Sequence, residues 1–438
     1  MSFKNFNWNN IRPINGDVKI GFEELCCQLA YYEKMPIGSI YTRKGTPDGG
    51  VECFWKLSDN SEICYQAKFF INSPTNSEWC QIKKSLYEAV NNHQNLTQYI
   101  VCLPLNFSDG SKTKTKNQKT ALDKWNEYIK KWEADIKIKF KKKIRISYWG
   151  ETEIIDRLSK PEHRGRYYFW FNKDLFTNEW FNNFFNETKA NVGARYSPEI
   201  NITLPINKVF DTLLRNDTLF FEIRKLRAEL LKQKQELNFK DKLIKSKEEL
   251  LCLHKKTDAL IDYLNEYISG KFVYIDITKI VSLISDIITQ SNKLNEIINQ
   301  TKNEYKEKND YEYKLHSINK FRRKLYEIEN FFKQNHINLI NQPFLLICGD
   351  AGQGKTHLFC EIISRQILSG KPALLFLGMN FKNNDPWKQM LDRIGLNCSR
   401  EEFLGALNAL DQLSNQRCLI LIDALNESEE RHFWKTYI

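Results

Sequence analysis

The spacing of apolar residues changes twice along the chain and divides it into three stretches. In the first, to about Asn191, short helical and strand patterns alternate. Gly21 to Tyr32 carries apolar residues at helical spacing, Val51 to Trp55 and Ile63 to Phe70 read as strands, and Trp79 to Asn91 reads as a helix. Gln98 to Leu105 is an apolar strand ended by Pro104, Ile144 to Trp149 is another, and Glu151 to Leu158 is a short helix with acidic residues at its positive N-terminal end. This alternation predicts a sheet with helices packed on its faces.

From about Val192 to Gln342 the pattern lengthens. After a strand-like Ile200 to Pro205, helical periodicity runs through Leu213 to Tyr267, Ile277 to Lys308 and Tyr311 to Asn335, rich in Leu, Ile, Lys and Glu and poor in proline. A helical bundle or arm is the plain expectation, because the apolar heptads do not repeat cleanly enough to predict a coiled coil. From Pro343 the pattern becomes α/β. Phe344 to Cys348, Ala373 to Leu377 and Cys418 to Ile422 read as strands, and His357 to Leu368, Pro386 to Ile394 and Glu401 to Leu413 as helices. The expected fold class is therefore α/β and multidomain, with parts at residues 1–191, 192–342 and 343–438.

Composition narrows the function classes. With 42% hydrophobic and 27% charged residues, no apolar run of 18 residues and no apolar stretch at the N-terminus, the expectation is a cytoplasmic protein without a membrane partner. None of the 11 cysteines forms a Cys-x-x-Cys pair, and Cys102, Cys348 and Cys418 lie inside apolar runs. That pattern predicts buried thiols rather than a zinc site or a disulfide framework. A net charge of +11 suits a polyanionic partner, but Lys, Asn and Ile are all abundant, so charge alone adds little.

Two constellations carry chemistry. Gly349-Asp350-Ala351-Gly352-Gln353-Gly354-Lys355-Thr356 fits the phosphate-binding loop pattern between a predicted strand and a predicted helix, with His357 next in that helix. The loop's N–H groups and the helix N-terminus would face phosphate oxygens, Lys355 would contact the β- and γ-phosphates of ATP, and Thr356 would ligate Mg²⁺. Downstream, Cys418 to Ile422 ends in Asp423, placed to hold Mg²⁺, and Glu427 is positioned to orient or deprotonate water. The second constellation is Asp48-Gly49-Gly50-Val51-Glu52 followed by Tyr65-Gln66-Ala67-Lys68. Gln66 and Lys68 are two apart on a strand and share a face, and a hairpin between Trp55 and Ile63 would bring Glu52 beside them. Carboxylates for Mg²⁺ and a lysine near a phosphate are the parts that metal-assisted phosphodiester hydrolysis needs.

Other features weigh less. Lys112 to Lys119 and Lys137 to Arg145 suit a phosphate backbone or simple solvation about equally. Trp125 and Trp132, seven apart, fit a packed helix face better than a base-stacking platform. His93, His163 and His357 have no metal-ligand spacing to one another.

Asp423-Ala424-Leu425-Asn426-Glu427 resembles the extended acidic motif of STAND-type NTPases, including the NACHT group, in which Asp often stands where Asn426 is here. The constellation from Asp48 to Lys68 resembles the Mrr-type branch of the PD-(D/E)xK nucleases. That resemblance makes Glu24, ahead of Glu23, the first-helix acid, Glu52 or Asp48 the strand acid, with Glu52 favoured, and Gln66 the replacement for the usual second acid.

The order of nuclease, helical connector and STAND-like NTPase resembles the antiviral STAND NTPases. The resemblance implies a restriction-endonuclease-like α/β/α domain, a partial P-loop domain in a longer protein, and ATP with Mg²⁺ as cofactors. It further implies double-stranded DNA as substrate, a phage terminase or portal protein as trigger through a region beyond Ile438, and a homo-oligomer, typically a tetramer, when active. An ATP-driven restriction motor and a non-catalytic signalling scaffold are the alternatives.

Overall fold

The computed structural model describes residues 7–45, 48–109, 119–199, 206–237, 244–269, 274–300, 302, 308–430 and 434–437. It is mixed α/β and mostly helical, with a mixed five-stranded sheet and a parallel two-stranded sheet. The chain separates into two compact units. Met1–Pro198, Ala351–Ser414 and Cys418–Ile438 form the first, and Glu199–Asp350 with Asn415–Arg417 forms the second.

The first unit opens with α1 (Val18–Tyr31), whose N-cap Asp17 accepts a hydrogen bond from the Lys19 amide. Strands β1 (Ile40–Arg43), β2 (Cys53–Lys56) and β3 (Glu62–Ala67) follow as antiparallel neighbours. The chain then crosses over through α2 (Asn76–Asn92) to β4 (Leu96–Cys102), and through α3 (Ala121–Phe140) to β5 (Arg145–Trp149). Both crossovers leave the new strand parallel to its neighbour, which a tight hairpin cannot do. Thr75 with Glu78 and Thr120 with Asp123 form capping boxes that fix where α2 and α3 begin. Trp79, Leu86, Tyr99, Val101, Trp125 and Trp132 belong to one buried core cluster. Trp125 and Trp132 meet edge to face at 6.4 Å, so this pair is core and not a base platform.

Three helices follow β5: α4 (Glu151–Ser159), α5 (Arg164–Phe171) and α6 (Asn178–Val192). Arg12 is buried and donates to the carbonyls of Phe169, Asn172 and Leu175, so it ties the N-terminal segment to the end of α5.

The second unit is helical: α7 (Asn207–Leu214), α8 (Asp217–Glu236), α9 (Ile244–Ser269), α10 (Ile277–Gln300) and α11 (Lys308–Phe332). Helices α8 to α11 each pack on the next, and α11 closes back on α8, which is the ring of a four-helix bundle. Its core includes Phe220, Leu260, Ile284 and Phe321. The sequence pattern runs unbroken from Leu213 to Tyr267, but α7 ends where Arg215 turns left-handed (φ +50°) and Asn216 caps α8.

The remainder of the first unit comprises α12 (Lys355–Leu368), β6 (Ala373–Leu377), α13 (Pro386–Arg393), α14 (Arg400–Ser414), β7 (Leu419–Asp423) and α15 (Trp434–Tyr437). Strands β6 and β7 pair in parallel with Leu375 opposite Leu421. Helix α6 lies against β6: the Phe184 and Phe376 rings are 5.2 Å apart, and the Thr188 hydroxyl donates to the Leu375 carbonyl at 3.3 Å. Helices α5 and α14 pack closest where Gly165 faces Gly405. A β-carbon on Gly165 would stand 2.4 Å from the Gly405 Cα.

One reading of the sequence changes. Phe344 to Cys348 is not a strand: the segment has no sheet pairing, and Phe344 and Leu346 are exposed. An apolar run becomes a strand only where a neighbouring backbone satisfies its polar groups, and no described strand lies beside this one. The strand β1 and the helices α5 and α6 had no assignment from the pattern. The strand-like Ile200 to Pro205, and Lys112 to Lys119 apart from Lys119 itself, lie outside the described residues. Within the second basic run, Lys142 donates to the carbonyls of Val90 and His93, a structural role, while Lys137, Lys139, Lys141 and Lys143 are exposed. Among the described residues no helix is long and apolar enough to cross a membrane.

Gly165→Ala should destabilise the first unit by about 1–3 kcal/mol, because the added methyl has backbone rather than a yielding side chain in front of it. Urea unfolding of the variant against the parent protein measures the loss.

Candidate functional site

The first cluster forms where the hairpin β2–β3 meets the loop before it. The Glu52 amide donates to the Tyr65 carbonyl at 2.9 Å, which sets Glu52 beside the end of β3. The Gln66 side-chain amide then donates to Glu52 Oε1 at 2.6 Å. Asp48 starts the turn, with Oδ1 accepting from the Gly50 amide at 3.0 Å, and its negative charge acts on Glu52. Gly50 has φ +85°, and a β-carbon there would lie 2.1 Å from the Ser85 carbonyl on α2. Packing therefore explains that glycine, while the acids on either side of it need another reason. Lys68 is the first residue past β3, and its amide still pairs with the Cys102 carbonyl.

The electrostatics are those of crowded carboxylates. Burial pushes the Glu52 carboxyl up to about 8, with the negative charges of Glu23 and Asp48 adding to the rise and Lys68 opposing it. Glu23 is also raised, first by burial, against the pull of Lys68. Glu24 is engaged elsewhere, since its Oε2 pairs with Arg43 at 2.7 Å and its Oε1 accepts from Gln28 at 3.2 Å. Adjacent helical residues point about 100° apart, so one acid on α1 faces Lys68 and its neighbour cannot. The sequence reading set Glu24 ahead of Glu23 as the first-helix acid; Glu24 is paired with Arg43, and it is the charge of Glu23 that acts on Glu52. A Phe-Glu-Glu-Leu run does not by itself say which glutamate faces the sheet.

Among the described residues no three His, Cys, Asp or Glu side chains are grouped to hold a metal. The cluster nevertheless fits a cation in one respect. Gln66 Oε1 is buried and accepts no hydrogen bond, although Gln66 is only 1% exposed. A buried acceptor without a donor is costly, and the same side chain holds Glu52, whose carboxyl is crowded by the charge of Asp48. An oxygen-seeking divalent cation would satisfy all three.

The second cluster joins α12 to β7. The Thr356 hydroxyl donates to Asp423 Oδ2 at 2.7 Å, so the residue after the loop lysine touches the acid that ends the strand, 67 positions on. Asp423 is buried at 3% exposure. Gly352 and Gly354 have φ of +80° and +76°, and α12 begins with no side chain capping it, leaving its first amides turned toward the loop. Gly349 and Asp350 group with the second unit and Ala351 onward with the first. Gln353 is exposed, like its neighbours from Gly349 to Gly354. His357 follows in α12, where its Nδ1 accepts from the Ser197 amide at 3.4 Å. Just past β7, Ala424 is left-handed at φ +54°, a conformation that costs an alanine energy, and the turn it makes carries Glu427. Glu427 pairs with Arg195 at 3.6 Å, a partner that nothing in the motif pattern signalled.

Set beside known proteins, the chain matches no family model, no curated protein and no solved structure.

The raised Glu52 carboxyl predicts a pH signature in metal-free buffer. Its folded value lies above the ordinary carboxylate value, so the folded chain binds the extra proton. Glu52 then costs stability progressively as pH rises from the ordinary carboxylate range to about 8. Glu52→Gln should therefore raise the melting temperature at pH 9 by roughly 2–4 °C and leave it nearly unchanged at pH 4. Differential scanning fluorimetry at the two pH values checks the difference.

Proposed function

We propose that the protein is an ATP-switched, Mg²⁺-dependent DNA endonuclease of the antiviral STAND NTPase type. In this reading a phage protein is the trigger and nucleotide binding drives assembly into an active homo-oligomer. The observation that carries the nucleotide half is the 2.7 Å bond between Thr356 and Asp423, since these are the two residues that the loop and strand motifs assign to one Mg²⁺. The nuclease half rests on the Asp48, Glu52 and Gln66 group and on Lys68, whose charge reaches Glu52 and Glu23. The mixed sheet, three antiparallel strands followed by two parallel ones with crossover helices, agrees with the restriction-endonuclease-like core that the resemblance implies.

Each residue then has its own role. Asp48 and Glu52 present negative charge at the end of β3, and Gln66 holds Glu52 in place through its amide. Glu23 adds a further carboxylate from α1. Lys68 places an ammonium where a phosphodiester or the attacking water would lie. Mg²⁺ bound by this group would supply a Lewis acid and a polarised water. At the other cluster Lys355 would neutralise the β- and γ-phosphates of ATP, Thr356 and Asp423 would hold its Mg²⁺, and Glu427 would orient water.

The non-catalytic scaffold gains support from one observation, the lack of a three-ligand group among the described residues. Plasmid cleavage decides between the two. With Mg²⁺, nucleotide and trigger, the full-length protein should cut DNA. Lys68→Ala and Glu52→Ala should each abolish cutting without weakening ATP binding, and Gln66→Ala should be milder. Loss through Asp48→Ala but not Glu52→Ala would transfer the metal-binding role to Asp48.

Lys355→Ala should abolish ATP binding and, with it, DNA cutting. A switch predicts cutting with ATP and with a non-hydrolysable analogue, whereas a motor predicts cutting with ATP alone. Equal cutting without nucleotide would refute the regulatory role of the NTPase.

A further inference from the structure

The segment that leaves α6 runs past both halves of the phosphate cluster. Its 3₁₀ turn Gly193–Arg195 sends the Arg195 guanidinium to Glu427 at 3.6 Å and to the Met379 sulfur at 3.7 Å. The next residue, Tyr196, is buried, with its ring 5.2 Å from that of His357 and its hydroxyl 3.3 Å from Glu361. The Ser197 amide donates to His357 Nδ1. Three consecutive residues thus touch the turn after β7 on one side and the helix after the loop on the other. Thr356, next to His357, and Asp423, four residues before Glu427, close the same cluster at 2.7 Å.

We propose that Arg195 is the residue that distinguishes nucleoside triphosphate from diphosphate, by exchanging Glu427 for the terminal phosphate. This rests on reading the loop as an ATP site and adds to it a sensor supplied by the linker after α6. The present partner is a weak one. At 3.6 Å, with the two side chains 43% and 41% exposed, the ion pair is loose and solvent-screened. A phosphate takes a guanidinium through two parallel charge-assisted hydrogen bonds, which a single long contact to a carboxylate does not match. The field of Arg195 extends into the cluster, because it and Lys189 oppose the effect of Asp423 on the buried Cys360 thiol of α12. Tyr196 anchors the backbone on α12, so Arg195 swings from a fixed base. When the guanidinium leaves, Glu427 becomes available to water. Recognition of the third phosphate and release of the water-orienting acid are then one event.

The test is binding of ATP (as a non-hydrolysable analogue) and of ADP, each with Mg²⁺, to the full-length protein and its variants. In Arg195→Ala the preference for triphosphate over diphosphate should fall about 10- to 100-fold, the range expected for lost charge-assisted hydrogen bonds, while ADP affinity stays as in the parent. Arg195→Lys should keep part of the preference. Glu427→Gln, which frees Arg195 without removing it, should keep all of it. An unchanged ratio in Arg195→Ala overturns the inference and leaves the phosphate site standing. Loss of ADP binding in the same variant also overturns it, by showing that Arg195 only supports the fold. Lys355→Ala should lose both nucleotides. A parent protein that binds neither removes the site reading and this inference together.

Discussion

The first unit depends on a close approach of two helices. Helix α5 follows the five-stranded sheet and its helices, α14 lies between β6 and β7, and they meet at Gly165 and Gly405, where no β-carbon fits on either side. The approach brings polar groups together in a region with little water. Arg166, 2% exposed, donates to Asn408 Oδ1 at 2.7 Å and stacks 4.0 Å over Tyr32, whose hydroxyl donates to the same oxygen. Gln28 of α1 donates to the Ala409 carbonyl and to Glu24. Arg166 is a buried guanidinium with neutral partners in place of a carboxylate, and its Nε is unsatisfied, an arrangement that only a well-fitted surround makes tolerable.

That seam gives Glu24 its role. The helix carrying Glu23 also carries Glu24 and Gln28, and through Gln28 it is bonded to α14. One turn of α1 therefore faces the acids on one side and the α14 seam on the other. Together with α6 on β6, it puts Glu52 and the Thr356–Asp423 pair in one packed unit.

The two clusters share a physical character. In each, a buried or half-buried acid is held by a neutral hydrogen-bond donor: Glu52 by the Gln66 amide and Asp423 by the Thr356 hydroxyl. Neutral donors orient an acid without placing a competing positive charge beside it, so a cation that displaces the Glu52 proton would meet no cation already paired there. Glu24, bound to the fully charged Arg43, has lost that capacity and reads as structural.

By itself the sequence determined the local features. Helical periodicity located α1, α2 and α8 to α14, the glycine loop preceded a helix, and an acid ended β7. These follow from spacings of 3.6 and 2.0 residues and from backbone demands that a few neighbours settle. What depended on distant partners was decided only by the tertiary structure. Phe344 to Cys348 has strand composition but no strand to pair with. Which of Glu23 and Glu24 faces Lys68 is set by how α1 rolls on the sheet. Arg195 finds Glu427 across 232 positions, and α5 finds α14 through two glycines that look ordinary in the sequence. Pairing, helix rotation and close approach are properties of two segments at once, and periodicity within one segment carries no information about the other.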